Sequence, residues 1–223
     1  MKSGVIKFTW INNEFKYLLA LFANSTLCLF DLTKQTRIWT KTFQEPLISI
    51  SMNPFDSNML VTSSKNGNIF IILDFNLLEP PQKIDHKFKV GEVKDSYTGQ
   101  FVPNLKDVVF SPFERNQLYL VTRREVAIYD LILKQTITDR SFHGSKSDFS
   151  QIFLNPNLPR NMFSLHEDGK AIFWTLSEDY KRVDNATTDT SRGNKHGGER
   201  PGLLQSARFK DDTLVAVGAD GKR

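Results

Sequence analysis

The sequence predicts an all-β fold built from repeated four-stranded blades of a β-propeller, and three observations support this prediction. An apolar run, Asn or Ser, a proline and a second apolar run occur together three times, with the prolines at Pro54, Pro112 and Pro156. Other apolar runs end on an aspartate, at Asp31, Asp74 and Asp130. Apart from one longer interval, both marks recur about every 40–45 residues, the period of a propeller blade. No segment sustains helical spacing of apolar residues.

The interior of each repeat predicts a short antiparallel meander. Residues 48–52 alternate apolar and polar side chains, which is typical of a half-buried strand. The proline that follows ends the strand, because proline cannot donate to a ladder. The Asn66-Gly67 dipeptide predicts a tight hairpin, since both residues tolerate positive φ. Each proline-marked segment is therefore expected to be the first hairpin of a blade.

The repeats divide the chain into four blades and the beginning of a fifth. The blades are predicted at residues 1–43, 47–105, 107–143 and 149–183. The second blade carries an insertion at residues 76–106, part of it a surface loop, with an outer strand expected around residues 83–90. Residues 184–202 are predicted to be a flexible polar linker. Residues 203–223 begin a further, truncated blade, so the ring is not expected to close within this chain.

Composition favours a folded protein of a reducing compartment. Apolar residues make up 39% and charged residues 24% of the chain, enough to form a core. The longest apolar run, residues 17–23, is too short to span a bilayer. The first residues lack the features of a signal peptide. Cys28 is the sole cysteine, so no disulfide within the chain is possible, and a cytoplasmic location is expected.

The net charge of +4 gives little support for nucleic-acid binding. Residues 181–223 hold 9 Lys and Arg against 6 Asp and Glu, whereas residues 1–180 hold 20 against 19. Most of the excess therefore lies in the polar stretch, not on a folded face among aromatic residues, as nucleic-acid binding requires. The expected partners are other proteins.

The three repeated aspartates have two interpretations. They are either an acid–base or metal cluster, or acceptors for backbone amides in the turn after the third strand of a blade. Their equivalent places in successive blades favour the structural interpretation, because equivalent residues of different blades occupy separate sites. The sequence thus predicts structural roles for these carboxylates at Asp31, Asp74 and Asp130.

The remaining reactive side chains predict no catalytic, cofactor or metal site. The histidines show no metal-ligand spacing; they are His86, His143, His166 and His196. Cys28 lies in an apolar strand, where packing is favoured over nucleophilic chemistry. The Arg123-Arg124 pair at a hairpin tip is either an ordinary solvated turn, which is favoured, or a contact for an acidic partner.

Blades that end on an aromatic or apolar residue followed by Asp resemble WD repeats. Phe30-Asp31, Leu73-Asp74 and Tyr129-Asp130 are degenerate versions of this mark. The Gly-His half of the signature is missing, and Trp174-Thr175 lacks the acid. The resemblance implies a WD40-like β-propeller segment.

Four segments are similar, in order and spacing, to the later part of the first propeller of a longer WD-repeat family with two propellers. They are residues 27–32, 45–75, 124–137 and 163–174, and the similarity covers most of residues 1–180. The resemblance implies a non-enzymatic scaffold in vesicle tethering at the trans-Golgi network, with roles in ciliogenesis and Hedgehog signalling. Its partners would be tethering-complex subunits, and membrane association would occur only through them.

Two other functions remain open. A WD-repeat scaffold of a nuclear or RNA-processing complex would use the basic stretch at residues 181–223. An enzyme on a propeller would need polar residues converging at the centre of the ring, which the alternation pattern does not reveal.

Overall fold

A computed structural model shows that the chain folds into short antiparallel β-sheets. The structure describes residues 3–11, 15–94, 99–143, 147–155, 157–158, 161–167, 171–176, 183–188, 204–210 and 213–218. Within these ranges there are four four-stranded and two two-stranded sheets, and no helix. In each four-stranded sheet the strands lie side by side in sequence order. Such meanders need only short turns between neighbouring strands.

The four-stranded sheets are named blades 1 to 4. Blade 1 contains β1 (Val5–Ile11), β2 (Tyr17–Phe22), β3 (Thr26–Asp31) and β4 (Thr36–Thr42). Blade 2 contains β5 (Leu47–Asn53), β6 (Asp56–Ser64), β7 (Asn68–Ile72) and β8 (His86–Lys89). A hairpin of β9 (Glu92–Lys94) and β10 (Phe101–Pro103) follows.

Blade 3 contains β11 (Leu105–Phe110), β12 (Gln117–Thr122), β13 (Glu125–Asp130) and β14 (Gln135–His143). Blade 4 contains β15 (Phe149–Leu154), β16 (Asn161–His166), β17 (Ala171–Leu176) and β18 (Val183–Thr188). The last pair is β19 (Leu204–Lys210) and β20 (Thr213–Gly218). The chain forms two compact units, residues 1–120 and 121–223, and the division falls within β12.

The main core of the first unit is formed by blades 1 and 2. Leu19 of β2 lies opposite Leu29 of β3, and both are fully buried. Burying one such leucine contributes about 1.5–3 kcal/mol. The Trp39 ring meets the Phe75 ring edge to face at 5.8 Å. The core cluster comprises Ile11, Leu19, Leu21, Leu27, Leu29, Trp39, Leu47, Ile50, Leu60, Phe70, Ile72 and Phe75.

Hydroxyl groups join blade 2 to the first strand of blade 3 within this unit. The Ser49 hydroxyl donates to the Val108 carbonyl at 3.2 Å, and the Ser51 hydroxyl accepts from the Phe110 amide at 3.1 Å. Because side chains alternate along a strand, both serines lie on the same face of β5. The alternation predicted for residues 48–52 therefore places the apolar side chains on one face of β5 and the two serine hydroxyls, which bond to blade 3, on the other.

In the second unit, an aromatic cluster lies inside blade 4. The Phe149 ring stacks on the Trp174 ring at 6.1 Å and tilts against the His166 ring at 4.5 Å. All three side chains are buried. Since aromatic side chains each bury about 150–250 Å², this cluster is a large part of the blade's packing.

The structure confirms the predicted fold class, an all-β, WD40-like β-propeller segment. The proline-marked segments join the first and second strands of blades 2, 3 and 4. The outer strand expected around residues 83–90 is β8. The short hairpin of β9 and β10 inside the predicted insertion was not anticipated, because its strands have only three residues each.

Two local predictions differ from the structure. Residues 184–188 were assigned to a linker, but they belong to β18, which pairs with β17. Their polar composition suits an outer strand as well as a loop. In the Asn66-Gly67 turn, only Gly67 has positive φ, at 80°. The turn closes through the Gly67 amide, which donates to the Ser64 carbonyl at 3.0 Å. The other predicted features at residues 189–202 lie outside the described residues.

Candidate protein-interaction surface

Two of the repeated aspartates bind backbone amides in the turn after the third strand. Asp31 Oδ1 accepts from the amides of Thr33 at 3.0 Å and Lys34 at 3.1 Å, and from the Thr33 hydroxyl. Asp130 Oδ1 accepts from the amides of Ile132 at 2.8 Å and Leu133 at 2.9 Å. These carboxylates therefore stabilise equivalent turns in blades 1 and 3.

The environment of Asp31 favours its charged form. The Thr33 hydroxyl lowers the pKa of this carboxyl, burial opposes the change, and the turn amides lower the pKa further. Asp74 occupies a different place, since it is exposed and lies beyond the end of β7. There Asn76 takes the equivalent role, because its Oδ1 accepts from the amides of Leu78 and Glu79, both at 2.9 Å.

At the proline-marked hairpins, the residue before the proline makes the specific contacts. Asn53 Oδ1, before Pro54, accepts from the Phe55 amide at 2.9 Å. Before Pro112, the Ser111 hydroxyl accepts from the amides of Phe113 and Glu114 at 3.1 and 3.0 Å. Asn155 Oδ1 accepts from the Asn157 amide at 2.9 Å.

All three of these polar side chains are buried, at Asn53, Ser111 and Asn155. Pro156 itself lies outside the described residues. The sequence pattern marks the prolines, whereas the buried acceptors lie one position earlier, where the Asn-Pro and Ser-Pro pairs are the signal that indicates them.

The first strands of blades 1, 2 and 3 share a polar cluster. Lys7 Nζ donates to Asp107 Oδ1 at 2.6 Å and to Ser49 Oγ at 3.0 Å. The Ser49 hydroxyl also donates to Asp107. Ser49 is 1% exposed, so its hydroxyl is not accessible to a substrate. This cluster connects three blades and does not form a nucleophilic site.

Glu45 connects three parts of blade 2 at the beginning of that blade. Its Oε2 accepts from Ser64 Oγ at 2.8 Å and Asn68 Nδ2 at 2.7 Å, and its Oε1 accepts from Lys87 Nζ at 2.9 Å. Burial raises the pKa of this carboxyl, but the hydrogen bonds from Lys87, Asn68 and Ser64 outweigh it and lower the pKa to about 2. Glu45 therefore carries its charge at neutral pH.

A groove of about 400 Å³ lies beside this carboxylate, between β4 and the segment that leads into β8. Its volume falls within the range of pockets that accept ligands or side chains. Phe70 and Ile72 are buried in its floor, and Lys87 Nζ lies 5.1 Å from the centre of the Phe70 ring. Ile84 is 42% exposed on one wall. The groove can hold an apolar side chain of a partner.

Arg123 and Arg124 bind a carboxylate of this chain. Arg123 Nη1 lies 3.0 Å from Asp148 Oδ2, and Arg124 Nε lies 2.8 Å from Asp148 Oδ1. The Phe149 amide also donates to the Arg123 carbonyl at 2.8 Å. The arginine pair therefore fastens the hairpin tip of blade 3 to the beginning of blade 4, and its charge is at least partly neutralised there.

The described histidines and the cysteine have structural surroundings. His166 Nε2 is 2.8 Å from Ser164 Oγ, which accepts from Trp174 Nε1 at 2.8 Å. Cys28 is buried, with its Sγ 3.6 Å from Thr40 Oγ1. His86 is exposed on β8. The side chain of His143 and all of His196 lie outside the described residues.

The part of the chain that the structure describes shows neither a metal-binding cluster nor a membrane-spanning helix. There, no group of three or more His, Cys, Asp or Glu side chains is arranged to hold a metal ion. The same described residues include no helix long and apolar enough to cross a bilayer.

The repeated sheets define a segment of a WD40-like β-propeller. No family model matches the chain. The chain is similar to WD repeat-containing protein 11 from Homo sapiens, with 25% identity over 183 residues, which covers 68% of this chain. It is 26% identical over 185 residues to WD repeat-containing protein 11 from Danio rerio. The chain spans only 15% of the length of these relatives. These matches confirm the resemblance seen in the sequence. By that resemblance, the chain corresponds to a fragment of a protein like WD repeat-containing protein 11.

Proposed function

We propose that this chain is part of a non-enzymatic WD-repeat scaffold that binds other proteins. The observation that carries this proposal is the similarity to WD repeat-containing protein 11 over 68% of the chain. The blades support it, because stacked sheets hold their turns and grooves at fixed positions for partners. The groove beside Glu45 is the candidate site for a partner's side chain.

The particular setting we propose is a vesicle-tethering complex at the trans-Golgi network, with links to ciliogenesis and Hedgehog signalling. Its support is the four segments that resemble the first propeller of this WD-repeat family. The chain would act in the cytoplasm, at trans-Golgi vesicles and the base of the cilium. Tethering-complex subunits would be its partners and would bring it to membranes.

A second candidate is a scaffold of a nuclear or RNA-processing complex. The observation in its favour is the excess of basic residues at 181–223, with 9 Lys and Arg against 6 Asp and Glu. Such a complex would hold the chain partly through RNA, whereas a tethering complex would hold it through protein surfaces alone.

Affinity capture of the tagged full chain from cells, with and without nuclease, separates the two candidates. We expect the captured proteins to survive nuclease and to include vesicle-tethering proteins. Ile84→Asp should reduce their recovery, because it places a charge on the groove wall. Phe101→Ser is the matched control, since Phe101 is 70% exposed on β10 and does not line the groove. Partners that disappear on nuclease treatment would overturn the tethering proposal in favour of the second candidate.

A further inference from the structure

The two ends of blade 2 differ in polarity. Because the strands alternate in direction, the β5–β6 and β7–β8 connections begin at one end of the sheet and the β6–β7 turn lies at the other. Four large apolar side chains are exposed along the first two connections, and one of them, Ile84 at 42%, lines the groove beside Glu45. The other three are Phe55 at 47%, Leu73 at 42% and Leu78 at 88%. The β6–β7 turn at the opposite end is polar, with Lys65, Asn66 and Gly67.

Each exposed apolar residue of these connections is followed directly by an acidic one. Besides Ile84-Asp85 at the groove, the pairs are Phe55-Asp56, Leu73-Asp74 and Leu78-Glu79, and these last six residues are called the blade 2 rim. Isolated exposed apolar residues are ordinary on protein surfaces. A set of three, each with its own carboxylate, is a more specific arrangement, because it offers apolar contact and negative charge together.

The backbone of the rim is held by hydrogen bonds. Asn53 accepts from the Phe55 amide, and Asn76 accepts from the amides of Leu78 and Glu79. The Phe75 amide donates to the Asn58 carbonyl at 2.8 Å, which joins the β7–β8 connection to the beginning of β6. The Phe75 side chain is 1% exposed and anchors this junction in the core. A surface held in this way loses less conformational entropy when a partner binds.

The charge around the rim is negative on balance. Arg115 Nη2 lies 3.6 Å from Asp56 Oδ2, and Lys83 Nζ lies 2.9 Å from Asp85 Oδ1, next to the rim. Asp85 raises the pKa of Lys83, and Asp74 adds to this effect. Among the residues that the structure describes, Glu79 has no ion-pair partner. Two cations thus face four carboxylates, those of Asp56, Asp74, Glu79 and Asp85.

We propose that the blade 2 rim docks a basic amphipathic helix of a partner protein. Apolar side chains of such a helix would cover Phe55, Leu73 and Leu78, and its Lys or Arg side chains would meet the rim carboxylates. Recognition of an amphipathic helix through anchors on one helix face is a common mode of binding. An anionic lipid surface is disfavoured, because the same carboxylates repel it.

This inference rests on the proposed scaffold function. It names the class of partner for the blade 2 rim, a surface other than the groove beside Glu45. The test measures fluorescence anisotropy of a labelled Leu–Lys peptide of about five helical turns with the purified full chain. The wild-type chain should bind this peptide, and added salt should weaken the binding. A Leu–Glu peptide of the same length and a scrambled Leu–Lys peptide should bind at least about tenfold more weakly.

Two sets of substitutions test the rim itself. Leu78→Ser, alone and combined with Phe55→Ser and Leu73→Ser, should weaken peptide binding progressively. Asp74→Lys combined with Glu79→Lys should weaken it at least about tenfold and reduce its salt dependence. Leu78 is 88% exposed, so the single variant should retain the wild-type fold, which circular dichroism checks.

Matched controls use exposed residues of the β9–β10 hairpin. Phe101→Ser removes a similarly exposed aromatic side chain, and Glu92→Lys reverses an exposed charge; both should leave peptide binding unchanged. Equal binding by wild-type and rim variants would overturn the proposal, as would equal binding of the Leu–Glu peptide. Tighter binding to phosphatidylserine-containing vesicles than to the peptide would also overturn it. A failed cellular capture experiment would instead overturn the proposed function, without altering these results with purified protein.

Discussion

Lys7 Nζ lies 2.6 Å from Asp107 Oδ1, so a side-chain ion pair links the first strand of blade 1 to the first strand of blade 3. The two residues are 100 positions apart in the sequence. Ser49 of blade 2 lies between them and bonds to both. The ion pair and the Ser49 hydroxyl together link the first strands of three successive blades.

Asp107→Ala should destabilise the first unit more than loss of an exposed ion pair does. The Lys7 and Asp107 side chains are 30% and 18% exposed, so solvent screens the pair only in part. We expect a loss of about 1.5–3 kcal/mol in the free energy of unfolding, typical of hydrogen bonds to charged groups. Urea denaturation measures this change.

The control for Asp107→Ala is Glu92→Ala, which removes an exposed pair with Lys89. This control should cost about 0–1 kcal/mol. Equal effects of the two substitutions would show that the cluster across the blades does not stabilise the fold. A double-mutant cycle with Lys7→Met isolates the coupling between the two charges.

Glu45 should make stability depend on pH in the acid range. Its pKa is lowered from 4.5 to about 2, so its charged form favours folding. This contribution is fully present above pH 4.5 and is lost as pH falls toward about 2. Glu45→Gln should therefore destabilise the chain at neutral pH, and its difference from wild type should shrink across this window.

Urea titrations at several pH values measure the Glu45 effect. Glu92→Gln serves as the control, because Glu92 forms an exposed pair with Lys89 and should show a much smaller change. A constant difference between wild type and Glu45→Gln from neutral pH to about pH 2 would contradict the assignment.

Gln35→Gly should stabilise blade 1. Gln35 closes the β3–β4 turn with a φ of 53°, in the left-handed region that glycine adopts without a steric cost. Relief of about 1–2 kcal/mol of strain exceeds the entropic cost of glycine, so a net gain of about 0.5–1 kcal/mol is expected. Thermal unfolding measures it.

The equivalent turn of blade 3 offers a second test, because Lys134 has a φ of 54°. Lys134→Gly should be stabilising as well. Lys34→Gly is the matched control and should be destabilising, since Lys34 lies in the same turn without positive φ. A destabilising effect of all three glycines would refute the strain argument.

Asn53→Ala should destabilise the chain more than Pro54→Ala. Asn53 is 3% exposed, and besides the turn amide it contacts the Arg115 carbonyl, to which its Nδ2 donates at 3.1 Å. Removing it deletes two partly buried hydrogen bonds, with the Phe55 amide and the Arg115 carbonyl, at about 0.5–1.5 kcal/mol each. Pro54 is exposed, and its replacement should cost only about 0.4–1 kcal/mol through the unfolded state. Chemical denaturation gives the free energies of unfolding of the two variants. A larger loss for Pro54→Ala than for Asn53→Ala would show that the proline is the more important residue.

Features that depend on neighbouring residues were predictable from the sequence. The Asp31 and Asp130 turns depend on bonds to residues two or three positions away, so a local pattern was enough to find them. Asp74 has the same sequence mark but lies beyond its strand, and Asn76 takes its role in the turn.

The site features were less predictable than the fold. The blade 2 rim combines residues from two connections, and Glu45 gathers side chains from β6, β7 and β8. No pattern in one segment indicates that these residues meet. Arg123 and Arg124 were visible as a basic pair, but their acceptor, Asp148, lies in the next blade.

By itself, the sequence determined the repeated hairpins and the β fold class, because strand alternation, prolines and turn residues act over a few neighbouring positions. Only the tertiary structure decided which polar groups pair between blades. Lys7 and Asp107 meet because packing of the sheets buries their apolar faces and brings the first strands of blades 1 and 3 together. Those contacts depend on the packing of whole sheets, and no local stretch of the chain specifies them.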